Sequence, residues 1–350
     1  MAEDAASSSC RRMESIRRHL LPRSPLVLSM NPLSAAEAEP SPVIIGGMVL
    51  DIHAKPSVPP HPGTTVPGMV KYIAGGVARN IAECMAKLGT QPLMISVVGN
   101  DMAGDFLLKY WRSAGLCTDV AYESGVPVLF EPVSVVKSSR IAPIAEHITC
   151  TSPNEIELVA MANALSTPGK YKFVKLDQCN NNMEAVDYLF EMLSPAMFFL
   201  LEKGIKLLLV TLGSNGVFIC CKEHVNIVKD QQKCNMTTFS SQLLEKLEGC
   251  FAPSMPVNLS GEGSSRTCVF HLPATSASVI SLTGAGDCLI GGVLSSLCGG
   301  LNIMQSVAVG IATAKASVES EANIPANFSA ASIADEARRT LLSAKQIWCQ

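Results

Sequence analysis

The pentapeptide Thr283-Gly284-Ala285-Gly286-Asp287 stands between a short predicted strand and a predicted helix. Its two glycines allow the backbone to approach a ligand closely, and successive N–H groups at a helix N-terminus form an anion site. An aspartate would repel a phosphate that it only had to bind. As a base facing an acceptor hydroxyl, Asp287 would instead accept a proton while the amides neutralise a transferring phosphoryl group. The alternative is a glycine-rich helix start whose aspartate is stabilised by the helix dipole.

Predicted strands and helices alternate along the rest of the chain. A short apolar run at 43–47 predicts a buried strand, residues 77–88 carry a helical pattern, and residues 92–98 predict the next strand. This order predicts an α/β fold with a mostly parallel central sheet flanked by helices. Residues 222–277 are polar and poorly periodic, which predicts a long surface insertion. A further helix is predicted over residues 331–345.

The composition excludes several classes of protein. With 350 residues, 48% of them hydrophobic and 16% charged, the chain as a whole is not disordered. A net charge of −3 gives no indication of nucleic-acid binding or of a basic membrane-binding surface. Residues 288–314 carry no charge, but glycine pairs at 291–292 and 299–300 favour two buried helices over a membrane span.

The thirteen cysteines show no Cys-x-x-Cys pair, which predicts reduced thiols in an intracellular protein. Cys220, Cys221, His224 and Cys234 lie close together in the sequence, but their spacing fits no common zinc module. We therefore predict loop thiols at these positions and no structural metal.

Residues 1–40 lack sustained periodicity, so we predict a disordered N-terminal targeting segment followed by one domain over residues 41–350. Inside this segment, Arg12-Met13, five further residues and His19-Leu20 resemble a type 2 peroxisomal targeting signal. Met13 departs from the commonest second residue of that signal. The alternative is a disordered basic tail on a cytoplasmic protein.

Four stretches together resemble the ribokinase-like (PfkB-type) carbohydrate kinases and occur in that family's order. They are the Gly-Gly-helix signature at residues 74–80, the Asn-x-x-Glu motif at 154–157, the nucleotide-binding strand and turn at 210–216, and the Gly-Ala-Gly-Asp turn at 284–287. Within the family, the likeness is strongest to kinases of pseudouridine, with another ribosyl nucleoside or a sugar as the second choice. The resemblance implies an ATP-dependent kinase with a three-layer fold, a small β lid and a nucleoside substrate.

The resemblance also implies roles for individual residues. The residues that would hold the ribose hydroxyls are Asp51, Gly75, Gly76 and Asn80. The base for the 5′-hydroxyl and its anion hole would be Asp287 with Gly284, Ala285 and Gly286. The nucleotide would lie along Thr211, Gly213, Gly216 and Thr283, and magnesium would be held through water by Asn154 and Glu157. The resemblance also leaves room for a monovalent cation such as K⁺. Roles for Lys71, Arg79, Glu131 and Lys137 stay open between ligand contact and ordinary surface or strand-end functions.

The chain departs from the family in two places. The family's remaining lid strands and a strand–helix unit of the main sheet have no counterpart near residues 120–123, and only a reduced lid at about 52–74 remains. The connection at 222–277 is longer than usual. A reduced lid should weaken substrate binding and dimerisation through lid strands. A missing strand should leave unpaired sheet edges or force a changed strand order. A shortened variant that binds nucleotide without turnover is therefore the alternative to an active kinase.

Overall fold

The computed structural model describes residues 42–61, 65–96, 98–99, 101–113, 127–172, 182–222, 238–247 and 267–350. The targeting segment predicted at 1–40 lies outside these residues, as does most of the predicted insertion. The helices in the described residues are α1 Val77–Lys87, α2 Met102–Ser113, α3 Val135–Ser138, α4 Glu155–Ala164, α5 Asn182–Glu202, α6 Thr238–Leu247, α7 Ala285–Cys298, α8 Ile303–Val318 and α9 Ala330–Leu342.

The strands of the described residues form three separate hydrogen-bonded sheets. They are β1 Val43–Ile45, β2 Val49–Pro56, β3 Gly68–Gly75, β4 Leu93–Ile95, β5 Leu129–Phe130, β6 Cys150–Thr151, β7 Leu207–Thr211, β8 Val217–Lys222, β9 Thr267–Leu272 and β10 Lys345–Cys349. The largest sheet has the order β10-β9-β8-β7-β6-β5, in which β5, β6 and β7 are parallel and the other neighbours are antiparallel. This mixed sheet with helices on both faces confirms the predicted α/β class.

Helices cover both faces of the six-stranded sheet because strand side chains alternate between the faces. Along β7, Leu207 and Leu209 join the hydrophobic core that contains α7, α8 and α9. Leu208 and Val210 point the other way, into the core formed with α4 and α5. The uncharged stretch at 288–314 supplies most of α7 and α8, joined by the turn at 299–300, so the prediction of two buried helices is confirmed. Within the described ranges, no helix is both long enough and apolar enough to cross a membrane.

The sheet is interrupted on its N-terminal side. β1 and β4 pair in parallel with each other but belong to a different sheet from β5, which is the last strand of the six-stranded sheet. The Ile45 side chain of β1 is 75% exposed, an unusual value for a parallel strand. The break falls where the sequence lacks a strand–helix unit, and among the described strands it leaves the unpaired edge that we expected from the shortened chain.

β2 and β3 form an antiparallel hairpin in which Asp51 pairs with Ile73. The two strands begin at Val49 and end at Gly75, so the hairpin is slightly longer at both ends than the reduced lid predicted at about 52–74. Most of its residues are exposed, including Ile52 and Tyr72. It is therefore a two-stranded lid that buries little surface of its own.

Several sequence predictions were wrong. The described structure has no strand directly before Thr283, and Cys220 and Cys221, predicted as loop thiols, are buried in β8. β9 falls within the range predicted as a polar insertion, yet its residues from Cys268 to Leu272 are buried between β8 and the edge strand β10. The strand was missed because polar sequence flanks this short apolar run.

The last helix ends at Leu342, and β10 follows it. Cys268 and Cys349 face each other across β9 and β10 and form a disulfide, so the prediction of reduced thiols does not hold for this pair.

Candidate active site

The Gly75-Gly76 pair joins the lid hairpin to α1 and brings Asp51 to the start of that helix. A Cβ atom on Gly75 would collide with the Asp51 carboxylate, so this carboxylate lies directly over Gly75. Gly76 is the N-cap of α1 with φ of 100°, and a Cβ there would lie 2.6 Å from the Gly47 carbonyl oxygen. Gly76 requires glycine for both space and backbone conformation, whereas a Cβ at Gly75 would displace the Asp51 carboxylate. Three of the predicted ribose-binding residues are thereby brought together.

The predicted anion hole lies at the N-terminus of α7. Gly284 is the N-cap in the left-handed conformation, with φ of 87°, and a Cβ there would collide with the backbone of Asn323. Ala285 and Gly286 follow in the first turn, and the Cβ position of Gly286 has no neighbouring atom within 4 Å. The Ala285 amide donates to the Leu282 carbonyl at 3.4 Å, while the amides of Gly286 and Asp287 have no acceptor one helical turn earlier within α7. Such first-turn amides are the donors that an anion at a helix N-terminus uses.

Asn80 and Asp287 connect the two signatures. The Asn80 Nδ2 atom donates a hydrogen bond of 2.5 Å to Asp287 Oδ2, across a sequence separation of 207 residues. The helices that carry them also pack closely, since a Cβ on Gly291 of α7 would lie 2.6 Å from the Cβ of Cys84 on α1. Burial raises the pKa of the Asp287 carboxyl above its ordinary value, while the hydrogen bond from Asn80 and the charge of Arg79 act in the opposite direction. A carboxylate with a raised pKa is a better proton acceptor than an ordinary aspartate.

Glu131 interacts electrostatically with both Asp287 and Glu157 of the Asn-x-x-Glu motif. It follows the carboxyl end of β5, and its Oε2 atom is buried with no hydrogen-bond partner in the described structure. Burial, together with repulsion from Glu157 and Asp287, raises the pKa of the Glu131 carboxyl well above its ordinary range. The carboxyl group also accepts a hydrogen bond from the backbone amide of Val133, which acts against this shift, so Glu131 does bind a nearby amide. Its unpartnered Oε2 atom leaves an acceptor that a ligand could use.

Asn154 and Glu157, the predicted magnesium residues, form the N-terminal capping box of α4. Asn154 Oδ1 accepts hydrogen bonds from the amides of Ile156 and Glu157, and Glu157 Oε2 accepts one of 3.0 Å from the Asn154 amide. In the described part of the chain, no group of three or more acidic, histidine or cysteine side chains could hold a metal ion directly. The oxygen donors and the repulsion between Glu131 and Glu157 fit a cation that is held through water.

The predicted nucleotide turn adjoins this capping box. Thr211 at the end of β7 forms a parallel bridge with Asn154, and its amide donates a 3.0 Å hydrogen bond to the Pro153 carbonyl. The turn after β7 has positive φ at Gly213 and Gly216, and a Cβ on Gly216 would collide with the backbone carbonyl of Leu272. The glycines therefore allow a tight turn against β9.

Thr283, the other predicted nucleotide residue, is exposed next to the anion hole, and its amide donates to the Ser281 hydroxyl. The structure thus places the predicted residues around two neighbouring regions, one at α1 and α7 and one at α4 and β7. Glu131 interacts electrostatically with a carboxylate of each region.

Sequence reasoning missed the buried polar network behind Asn80. Arg79 is only 2% exposed, so it is not a surface cation. It pairs with Glu83, which also contacts Lys87 and Tyr110. The signal available in the sequence was an Arg and a Glu four residues apart on an otherwise apolar helix face. Tyr110 belongs to a different helix, and no sequence pattern connects it to the pair.

Comparisons with known proteins agree with this geometry. The family model described as pfkB family carbohydrate kinase matches residues 42–126 and 259–327. A pseudouridine kinase of Arabidopsis thaliana is 36% identical over 374 aligned positions, which take in 87% of this chain and 98% of the plant protein. About 70 of the 374 aligned positions are therefore gaps in this 350-residue chain. A strand–helix–strand unit takes roughly 30 residues, so these gaps are larger than one such unit.

Solved structures show the same fold. A sugar kinase structure from Clostridium perfringens superimposes with a TM-score of 0.58 at 17% identity, covering 88% of this chain and 98% of the other. The ribokinase of Arabidopsis thaliana, solved with ribose and ATP, superimposes with a TM-score of 0.53 at 16% identity, covering 85% and 98% of the two chains. The near full-length likeness to the plant kinase and the match to the family model lead to one conclusion: this chain belongs to the PfkB family of carbohydrate kinases, which transfer a phosphoryl group to an alcohol.

Proposed function

We propose that this chain transfers the γ-phosphoryl group of ATP to the 5′-hydroxyl of pseudouridine. The hydrogen bond between Asn80 and Asp287 carries the proposal, because it sets a substrate-binding amide beside a buried carboxylate at the open N-terminus of α7. The substrate assignment is supported by the 36% identity to the pseudouridine kinase of Arabidopsis thaliana. The alternative substrates are other ribosyl nucleosides and sugars.

In this proposal, Asp287 accepts the proton of the 5′-hydroxyl as that oxygen attacks the γ-phosphorus atom. The first-turn amides of α7 neutralise the charge that develops on the transferring group. Asp51 and Asn80 supply acceptor and donor atoms for the vicinal hydroxyls of the ribose. Gly75 and Gly76 allow the sugar to reach the backbone, and Glu131 extends the same site on the side of β5.

The nucleotide would lie along Thr211, Gly213 and Gly216, with Thr283 near the transferring phosphate. Asn154 and Glu157 would hold a hydrated Mg²⁺ between the two regions. The ion would supply positive charge to the phosphate oxygens during transfer. The support for ATP is the ribokinase of Arabidopsis thaliana, solved with ribose and ATP. The proposal includes a monovalent cation such as K⁺, which only the family resemblance supports.

The test is mass-spectrometric detection of nucleoside and sugar phosphates. The purified chain would be incubated with Mg-ATP and an equimolar panel of pseudouridine, uridine, adenosine and ribose, beside the Asp287→Ala variant. We expect pseudouridine 5′-phosphate alone, and no product from the variant. Product from another panel member would keep the mechanism and contradict the substrate assignment.

A second candidate function is nucleotide binding without turnover. Two observations favour it: β1 and β4 are separate from the six-stranded sheet, and the lid hairpin is largely exposed. A lid that does not close leaves water at the reacting groups. Saturable binding of Mg-ATP without any phosphorylated panel member would support this candidate and contradict the kinase.

A further inference from the structure

The Arg79 guanidinium binds three acceptors near the start of α1. Its Nε atom donates to the Gly75 carbonyl at 3.2 Å, Nη1 to the Glu83 carboxylate and Nη2 to the Asn80 side-chain oxygen. The donors of a guanidinium form a rigid planar fork. The three acceptors are therefore held in fixed positions relative to one another.

This contact decides which way the Asn80 amide faces. An asparagine side chain has an oxygen that only accepts and a nitrogen that only donates. Because Arg79 binds the oxygen, the nitrogen is directed at Asp287. In the reverse orientation, the oxygen would face the Asp287 carboxylate, and two donor groups would face each other at Arg79. Only the observed orientation satisfies both neighbours.

Glu83 holds Arg79 in place. Its side chain accepts from Lys87 Nζ at 2.7 Å and from the Tyr110 hydroxyl at 2.9 Å. Burial opposes the charge of Glu83, but Arg79 and Lys87 outweigh it and lower the pKa of its carboxyl below the ordinary value. Glu83 therefore remains an anion, and the Arg79 guanidinium lies between it, Asn80 and the face of the Tyr110 ring, 5.2 Å from the ring centre.

We propose that Arg79 is a positioning residue for phosphoryl transfer: it fixes the orientation of the Asn80 amide, and through that amide it holds Asp287 towards the acceptor hydroxyl. Arg79 itself touches neither substrate nor phosphate. The inference deepens the proposed kinase function and rests on it. A purely structural salt bridge would stabilise the protein without acting through Asn80.

The test is a double-mutant cycle between Arg79→Lys and Asn80→Ala, measured as kcat and as the KM for Mg-ATP. Lysine keeps a cation beside Glu83 but cannot reproduce the fork. We expect Arg79→Lys to lower kcat on the order of 100-fold, the loss that a displacement of about 1 Å can cause, with the KM for Mg-ATP unchanged. In the Asn80→Ala background, the same substitution should change kcat by less than about 3-fold, because its target is gone. Equal losses in both backgrounds would overturn the proposal.

The matched control is Arg338→Lys on the exposed side of α9, which should change neither parameter. A second measurement does not depend on turnover. In protein labelled with ¹⁵N-asparagine, the side-chain amide signals of Asn80 are those missing from the Asn80→Ala spectrum. Arg79→Lys should shift the Asn80 side-chain signals. If the Arg79→Lys variant does not fold, Glu83→Gln should shift the same signals. Unmoved signals would overturn the proposal, whereas shifted signals in a chain without turnover would contradict only the kinase function.

Discussion

Replacing Asp287 by asparagine should separate activity from stability. The variant keeps the size of the side chain and an oxygen that can accept the hydrogen bond from Asn80, but it cannot take a proton from a hydroxyl. Loss of general base catalysis lowers rates by about 10²- to 10⁴-fold, which corresponds to roughly 2.7–5.4 kcal/mol at the transition state. The assay is kcat for pseudouridine phosphorylation at saturating Mg-ATP.

The same substitution should raise the free energy of unfolding at pH 8. Burial raises the pKa of Asp287 in the folded state, so ionising this group destabilises the fold, by about 1.4 kcal/mol for each unit by which the pKa is raised. Above the folded-state pKa the full penalty is present, and asparagine removes it. The penalty shrinks as the pH falls through the folded-state pKa and disappears below the ordinary aspartate pKa of about 3.9, because Asp287 is then protonated in both the folded and the unfolded chain.

Urea denaturation at several pH values measures this difference. We expect Asp287→Asn to be more stable than the wild-type chain at pH 8 and the advantage to shrink steadily towards pH 4. Asp335→Asn on the exposed side of α9 is the matched control and should show no such trend. An Asp287→Asn chain that is less stable than the wild-type chain at pH 8 would refute the claim that burying the charged carboxylate destabilises the fold. An Asp287→Asn chain that turns over at the wild-type rate would refute the claim that Asp287 is the base.

Three further predictions use controls that the chain itself offers. Gly284→Ala should lower the free energy of unfolding by about 1–3 kcal/mol. Gly300→Ala should lower it less, because both glycines have positive φ but only Gly284 lacks space for a Cβ. Equal losses in the two variants would contradict this prediction. Asn154→Ala and Asn302→Ala should each cost about 1 kcal/mol as capping-box residues, yet only Asn154→Ala should raise the Mg²⁺ concentration needed for half-maximal activity. Residues 1–40 fused to a fluorescent protein should enter peroxisomes, and alanines at both ends of the 12–20 nonapeptide should leave the fusion in the cytosol.

The sequence was most informative where function depends on the local backbone. Gly76 and Gly284 both adopt positive φ at the start of a helix, and short motifs were enough to place them. The Asn80–Asp287 contact could be expected only from the family resemblance, because no local pattern joins residues so distant in the chain. The role of Arg79 was missed for a related reason: one of the groups that orders it, Tyr110, lies on another helix.

Strand prediction failed for a different reason. β9 is a short apolar run with polar residues before it, so its burial depends on its neighbours β8 and β10 rather than on its own composition. The buried, unpartnered oxygen of Glu131 was equally invisible, since a glutamate after a strand is usually solvated. The interrupted sheet, by contrast, followed from counting the residues available between α2 and β5.

The hydrogen bond between Asn80 and Asp287 also bears on how the protein is made. Its partners are 207 residues apart, and at roughly 5–20 residues per second a ribosome needs about 10–40 seconds to add that length. During that interval α1 has no α7 to pack against, so its buried arginine and cysteine face water or a chaperone. Closing so long a loop is entropically unfavourable and makes for slow folding. Asn80 and Asp287 therefore meet late in folding, and an N-terminal fragment ending before Asp287 would lack the base that the proposed function requires.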